Sequence, residues 1–277
     1  ARGSTTLAPP RRRRPPPRNQ TERTLIYLDH NATTPLHPEV LDTMVAMLRT
    51  GVGNASSLHG PGQRARTAVE QAREEVARLV GAVDPSSIHF TSGGTESDNH
   101  ALRGVMALSA DRRGRRLVIS AVEHPAVRAT ATDLERLGVI VDELAVDPSG
   151  RLGELQLSDD TALVSVMKAN NETGNLYDLA LISAAAHAVG ALVHSDVVQA
   201  VGKVAVDLPA WGVDLASLSA HKLAGPQGVG ALYVRPGLAL PALLTGGGQE
   251  GGRRSGTENA AGIAGFGVAA RLARQQL

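Results

Sequence analysis

Two rhythms of apolar and polar positions run along this chain. Short apolar runs recur at Ile88-His89-Phe90-Thr91 and then over 116–120, 138–143, 162–167, 191–195, 214–218 and 229–234. Each has the length of a buried strand. Leu25-Ile26-Tyr27-Leu28 predicts one more short strand. Between most of these runs the spacing becomes helical. Over 61–80, Ala68, Val69, Ala72, Val76, Leu79 and Val80 share one face, with Arg and Glu between them. Pro38 fits the first turn of a helix running to about Arg49. Further helices are predicted from Thr95 and over 126–137, 178–189 and 258–276. Strands alternating with helices predict an α/β domain around a mainly parallel sheet.

Composition narrows the class. The 277 residues are 42% hydrophobic and 20% charged, as in a globular chain with a substantial core. No apolar run approaches the ~20 residues of a membrane span, and none follows the early arginines as a secretory signal requires, so the expected location is the cytoplasm. There is no cysteine, which excludes disulfides, cysteine-ligated zinc and a cysteine nucleophile within these residues. The net charge of +1 hides an asymmetry, because residues 1–24 hold seven Arg and one Glu. This Arg/Pro-rich segment predicts a disordered tail, and the remainder is acidic. The tail reads as a solvated extension or as an anion-binding arm, while the acidic body argues against a nucleic-acid footprint. Lysine occurs only at positions 168, 203 and 222, so any lysine chemistry has three candidates.

Ligands of parallel α/β sheets bind beyond the carboxyl ends of the strands, so the residues just past each strand are the candidates for chemistry. Ser92-Gly93-Gly94-Thr95 opens a helix and reads either as an ordinary cap or as a phosphate cradle. Val122-Glu123-His124-Pro125 sets His124 at a strand end, as a structural residue or as a flat face for a ligand. Asn170-Asn171-Glu172-Thr173-Gly174 reads as turn chemistry or as an amide donor to a phenolate-type oxygen. Asp196 is either a helix cap or a partner for a protonated ring nitrogen. Lys222 lies after an apolar strand and precedes Gly225-Pro226-Gln227-Gly228, a placement suited to a partly desolvated amine able to form a Schiff base. The glycine-rich, basic stretch 246–257 reads as a flexible linker or as a second set of anion donors. Together these are the separate parts of a pyridoxal phosphate site.

The motifs also carry a resemblance. Tyr27-Leu28-Asp29-His30-Asn31-Ala32-Thr33-Thr34-Pro35, Gly53-Asn54-Ala55-Ser56-Ser57-Leu58-His59, Phe90 to Asn99, Glu123-His124, Asn170 to Gly174, Asp196 with Gln199, Ser219-Ala220-His221-Lys222 and Arg254-Ser255-Gly256-Thr257 resemble class V, fold-type I pyridoxal 5′-phosphate enzymes. The likeness is to the NifS/IscS-type cysteine desulfurases and covers about 25–277. It implies a PLP-dependent transferase fold type I, with a seven-stranded-type sheet in a large domain over 25–260 that includes an N-terminal arm. Residues 261–277 would then begin a helix leading to a small C-terminal domain that is mostly absent. It implies that Lys222 carries the cofactor and moves protons, and that His124 stacks on the ring and assists them. Asp196 would hold the ring nitrogen, Asn171 and Gln199 the ring-oxygen side, and Gly94, Thr95, Ser219 and His221 the phosphate. Thr257 would reach the phosphate of the other subunit of a homodimer, and Asn31 and Ala32 would line the substrate side. The implied substrate is L-cysteine, with sulfur passing as a persulfide to an iron–sulfur scaffold or a tRNA-thiolation protein, and no metal is implied. The family's catalytic cysteine and its carboxylate-binding arginine lie C-terminal to everything here. The expectation is therefore a C-terminally incomplete chain unable to complete sulfur transfer. Another class V enzyme (an aminotransferase or selenocysteine lyase) and an inactive cofactor-binding fragment remain the alternatives.

Overall fold

The computed structural model describes residues 26–50, 53–109 and 115–277. The Arg/Pro-rich segment 1–24 lies outside them, as does Leu25. Seven strands form one sheet: β1 (Ile88–Thr91), β2 (Arg116–Ser120), β3 (Ile140–Leu144), β4 (Thr161–Ser165), β5 (Leu192–Asp196), β6 (Leu215–Ser219) and β7 (Gly230–Val234). Their order is β1-β7-β6-β5-β4-β2-β3. Only β7 is reversed, antiparallel to both β1 and β6, while the other neighbouring pairs are parallel. Among the described residues the α-helices are α1 (Pro38–Thr50), α2 (Gly60–Leu79), α3 (Gly94–Leu108), α4 (Pro125–Arg136), α5 (Leu179–Ala188) and α6 (Ala260–Gln276). No helix among the described residues is long and apolar enough to cross a membrane.

Successive strand residues point to opposite faces, and both faces are apolar because helices cover both. Leu117, Ile119, Leu163, Leu215 and Leu232 pack under α3 and α4, with Leu102, Val105, Val127 and Leu134. Val118, Val164, Ala216 and Tyr233 face the other layer, with Val69, Val76, Leu179 and Phe266 from α2, α5 and α6. α6 is part of this layer and packs against α1 and α2.

Among the described residues one predicted strand does not form: Ile26 to Leu28 make no ladder, and Ile26 and Leu28 are 78% and 84% exposed. An apolar run becomes a strand only where a sheet edge can pair with it, and here both edges of the sheet lie elsewhere. The other predicted strands appear, displaced by at most two residues.

Candidate active site

The parallel strands end on one side of the sheet. There α3 crosses β4 to β7 and brings its first turn over the sheet's centre. A cavity of about 250 Å³ opens at this point. It adjoins a second space, of about 350 Å³, against the first turn of α3. Ala32, Gly94, Thr95, His124, Asn171, Asp196, Gln199, Ser219, His221 and Lys222 all line the first cavity. A larger cleft of about 550 Å³ lies between α2 and the glycine-rich stretch, and holds none of these residues.

Asp196 ends β5 and is 7% exposed. Its Oδ1 accepts the Val198 N–H at 2.9 Å. Burial raises its pKa, and that N–H, His124 and Lys222 oppose the rise. Lys222 sits in the single helical turn Ala220–Lys222 after β6. Its Nζ donates to the backbone carbonyls of Asn31 and Ala32. Burial lowers its pKa, with Asp196 and Asp29 opposing. The amine thus loses its proton more readily than a surface lysine does, as a nucleophilic amine requires.

The first turn of α3 is open. α2, α4, α5 and α6 each have a side chain bonding an N–H of the first turn, from His59, His124, Asp178 and Asn259. α3 starts from Gly93, which has no side chain to do so. Its N–H groups and the positive end of its dipole therefore face the adjoining space, an arrangement that favours an anion. Glycine is needed here for close packing as well. A Cβ on Gly230 would lie 2.6 Å from Gly93 Cα and 2.5 Å from the Leu218 carbonyl oxygen, so only glycine lets β7 run under this turn.

Several of the predicted residues take a local structural role and also border the cavity. His124 caps α4 through Nδ1, which accepts the Ala126 N–H at 3.1 Å, and it still lines the cavity. That bond leaves Nε2 as the protonated nitrogen of the neutral ring. The two asparagines divide the roles. Asn170 Oδ1 accepts from the N–H groups of Glu172 and Thr173, locking the turn, while Asn171 lines the cavity. Gln199 Nε2 donates to the Asn31 carbonyl at 2.9 Å, and its Oε1 accepts from Lys203. His221 Nδ1 is 3.0 Å from the Thr33 hydroxyl. Segment 31–34 is thereby laced to the lysine turn.

Two predicted residues do not line the cavity itself. Asn31 is tied to its walls: its carbonyl accepts from Gln199 and Lys222, its Nδ2 donates to the Asn171 carbonyl at 3.0 Å, and its Oδ1 accepts from Lys203 at 3.0 Å. Thr257 lines a separate cleft with Thr91, Ser92 and Gly228. The stretch 246–257 is no free linker. Arg254 pairs with Glu96 at 2.9 Å, Arg253 bonds His89 and the Leu238 carbonyl, and Glu250 is buried against Arg73. The motifs contain Asp98 and Glu123 but assign them no role, and they do not contain Lys203. In the sequence Asp98 is one polar position in a helix, although it lines the cavity and is 1% exposed.

Comparison with known proteins matches residues 26–277 to the class-V aminotransferases. The chain belongs to this family. A cysteine desulfurase of Cereibacter sphaeroides is 50% identical over 253 residues, which are 90% of this chain and 65% of that protein. The chain thus spans about 65% of the length of this curated relative. A solved NifS-like protein superposes with a TM-score of 0.87 at 40% identity, covering 91% of this chain and 70% of its own. A structure of SspA in complex with cysteine gives 0.84 at 36% identity, covering 88% and 72%. The fold is therefore that of the NifS-like enzymes. Class-V aminotransferases use pyridoxal 5′-phosphate, and the side chains here fit it. An uncapped helix start suits the phosphate, a buried carboxylate with one partnered oxygen suits a ring N–H, and an amine with a lowered pKa suits the aldehyde.

Proposed function

We propose that this chain forms the cofactor-binding part of a cysteine desulfurase, which converts L-cysteine to L-alanine and hands the sulfur to an acceptor thiol as a persulfide. The observation that carries this reading is the convergence of Lys222, Asp196 and the open start of α3 on one cavity. The cysteine desulfurase that covers 90% of the chain supports the choice of substrate. Pyridoxal 5′-phosphate, when bound, supplies an electron sink for the charge left at the substrate Cα. Asp196 would keep the ring nitrogen protonated. Lys222 would hold the aldehyde, and its Nζ would take the Cα proton. His124 would lie against the ring and offer Nε2–H. The N–H groups of Gly94 and Thr95, with Ser219 and His221, would hold the phosphate. Asn171 and Gln199 would serve the ring-oxygen side, and Asn31 and Ala32 the substrate side.

The chain has no cysteine, so the thiol that accepts the sulfur lies outside these 277 residues. With that thiol written as RSH, L-cysteine and RSH give L-alanine and RSSH, and the atoms balance. In the cell the acceptor further on is an iron–sulfur scaffold or a tRNA-thiolation protein, and the enzyme is a cytoplasmic homodimer. Thr257 supports the dimer: it lies off its own chain's cavity, as a residue serving a second copy would.

The chain loaded with pyridoxal 5′-phosphate in heavy water tests the reading. L-Cysteine should lose its Cα proton to solvent by NMR, and should not lose its amino group to added pyruvate. Stoichiometric amino transfer to pyruvate would place the chain with the aminotransferases instead.

A further inference from the structure

Beneath the cavity, Asp98 on α3 faces Asp196 on β5. One carboxylate oxygen of each and a ring nitrogen of His124 lie within 4.8 Å of one another. Asp98 is 1% exposed, and neither of its oxygens has a hydrogen-bond partner. A buried carboxylate in that position cannot hold its charge without compensation. Asp196 has compensation: the Val198 N–H, His124 and Lys222. Asp98 has little. Its acidic neighbours Asp196 and Glu123 oppose its charge, and the nearby Ser217 hydroxyl, the one group that would favour it, forms no hydrogen bond to it in this geometry. That hydroxyl is itself 3.0 Å from His194 Nε2, and His194 Nδ1 is 2.8 Å from the Ser165 hydroxyl. His194 Nε2 stands 3.6 Å from Asp98 Oδ1, but burial lowers its pKa to about 3, so the ring is neutral and forms no ion pair there.

We propose that Asp98 is a positioning residue that works as a neutral carboxylic acid, keeping its own proton so that Asp196 is the single anion beneath the cofactor ring. Two carboxyl groups this close in a dry site share one negative charge, and the better-solvated one carries it. Asp98 fills the space behind Asp196 with a polar group that can donate. It leaves the anion where a ring N–H needs it. Glu123, also buried, is held protonated by burial to about pH 8, so Asp196 is the one group of the three beside a cationic amine, that of Lys222. The inference rests on the cofactor assignment above, and its test separates the two.

Asp98→Asn removes the ionisable group and keeps both shape and a donor. At neutral pH and without added cofactor, the infrared difference between the full wild-type chain and Asp98→Asn should show the loss of one protonated-carboxyl band, the band of Glu123 remaining in both. With pyridoxal 5′-phosphate bound, the pH at which its absorption changes form should move by less than about 0.3 unit in Asp98→Asn. It should move by about one unit or more in Asp98→Ala, where the donor is lost. A merely structural Asp98 would leave this profile alone in both variants, and that result overturns the inference. So does a shift of about one unit in Asp98→Asn, or an unchanged infrared band, because either means that Asp98 carries charge. Should Asp98→Ala fail to fold, the infrared band and the Asp98→Asn profile still decide. Absence of any cofactor absorption in the wild type would count against the cofactor assignment and leave the infrared result standing.

Discussion

Glu250 of the glycine-rich stretch grips Arg73 of α2 through two hydrogen bonds, of 2.7 and 2.9 Å. Its side chain is 2% exposed, and it also accepts the Phe90 N–H of β1 at 2.8 Å. The backbone of Glu250 lies in the left-handed region at φ 51°, so this contact holds the residue in a conformation that costs about 1 kcal/mol. A buried pair adds little over an apolar replacement, but half of one is expensive. Arg73→Met and Glu250→Gln should each lower stability to urea by about 3–5 kcal/mol. A loss below about 1 kcal/mol would mean that the orphaned partner finds water.

Lys222 should be the sole site of cofactor attachment. Borohydride reduction with pyridoxal 5′-phosphate, with peptide mass mapping of the product, should place the adduct on Lys222. Lys222→Ala should abolish it. Lys168→Ala should retain it, because Lys168 lies over the Trp211 ring and bonds the Tyr177 carbonyl, away from the cavity. An adduct surviving in Lys222→Ala would overturn the assignment.

Glu123 should make stability pH-dependent. Its carboxyl accepts from Ser120 and from the Met167 N–H, yet burial raises its pKa from 4.5 to about 8. Between those values the folded state binds more protons than the unfolded chain, so stability falls as pH rises. The contribution is whole below pH 4.5 and gone above about pH 8. Glu123→Gln should flatten the decline of urea stability between about pH 5 and 8, by at most about 1.4 kcal/mol per pH unit. His194 acts in the opposite direction. Its folded pKa of about 3 against 6.5 unfolded removes stability as pH falls below 6.5. Equal slopes for wild type and Glu123→Gln would show that Glu123 is ionised in the fold.

Gly230→Ala should disturb the cofactor site without touching a cavity residue. The new methyl would press on Gly93 Cα and the Leu218 carbonyl. Fluorescence titration with pyridoxal 5′-phosphate should show affinity reduced about tenfold or more, or about 1.4 kcal/mol. Unchanged affinity would mean that the start of α3 shifts freely.

The sheet and most of the cavity were legible because both rest on local pattern. Runs such as Leu163 to Met167 are apolar on both faces, and the residues after each strand are fixed by chain direction. The features that stayed hidden depend on distant partners. Arg73 and Glu250 lie 177 residues apart. Asp98 stands within a family motif that gives it no role, and its place becomes plain only when β5 sets Asp196 against it. Ile26 to Leu28 misled for the same reason, since an apolar run carries no record of whether a sheet edge awaits it.

The reversal of β7 bears on how the lysine turn is assembled. β6 and β7 pair as neighbours in sequence, joined by residues 220–229. The parallel pairs at Asp196 and His124 must instead close over the longer stretch 197–214 and over α4. Loop closure costs more for longer spans, and contacts close in sequence form sooner. The Lys222 turn is therefore the part of the site with the least entropy to lose. A folding chain can close it as a hairpin before the distant strands arrive, and the acid, the imidazole and the start of α3 then dock onto an amine already in place.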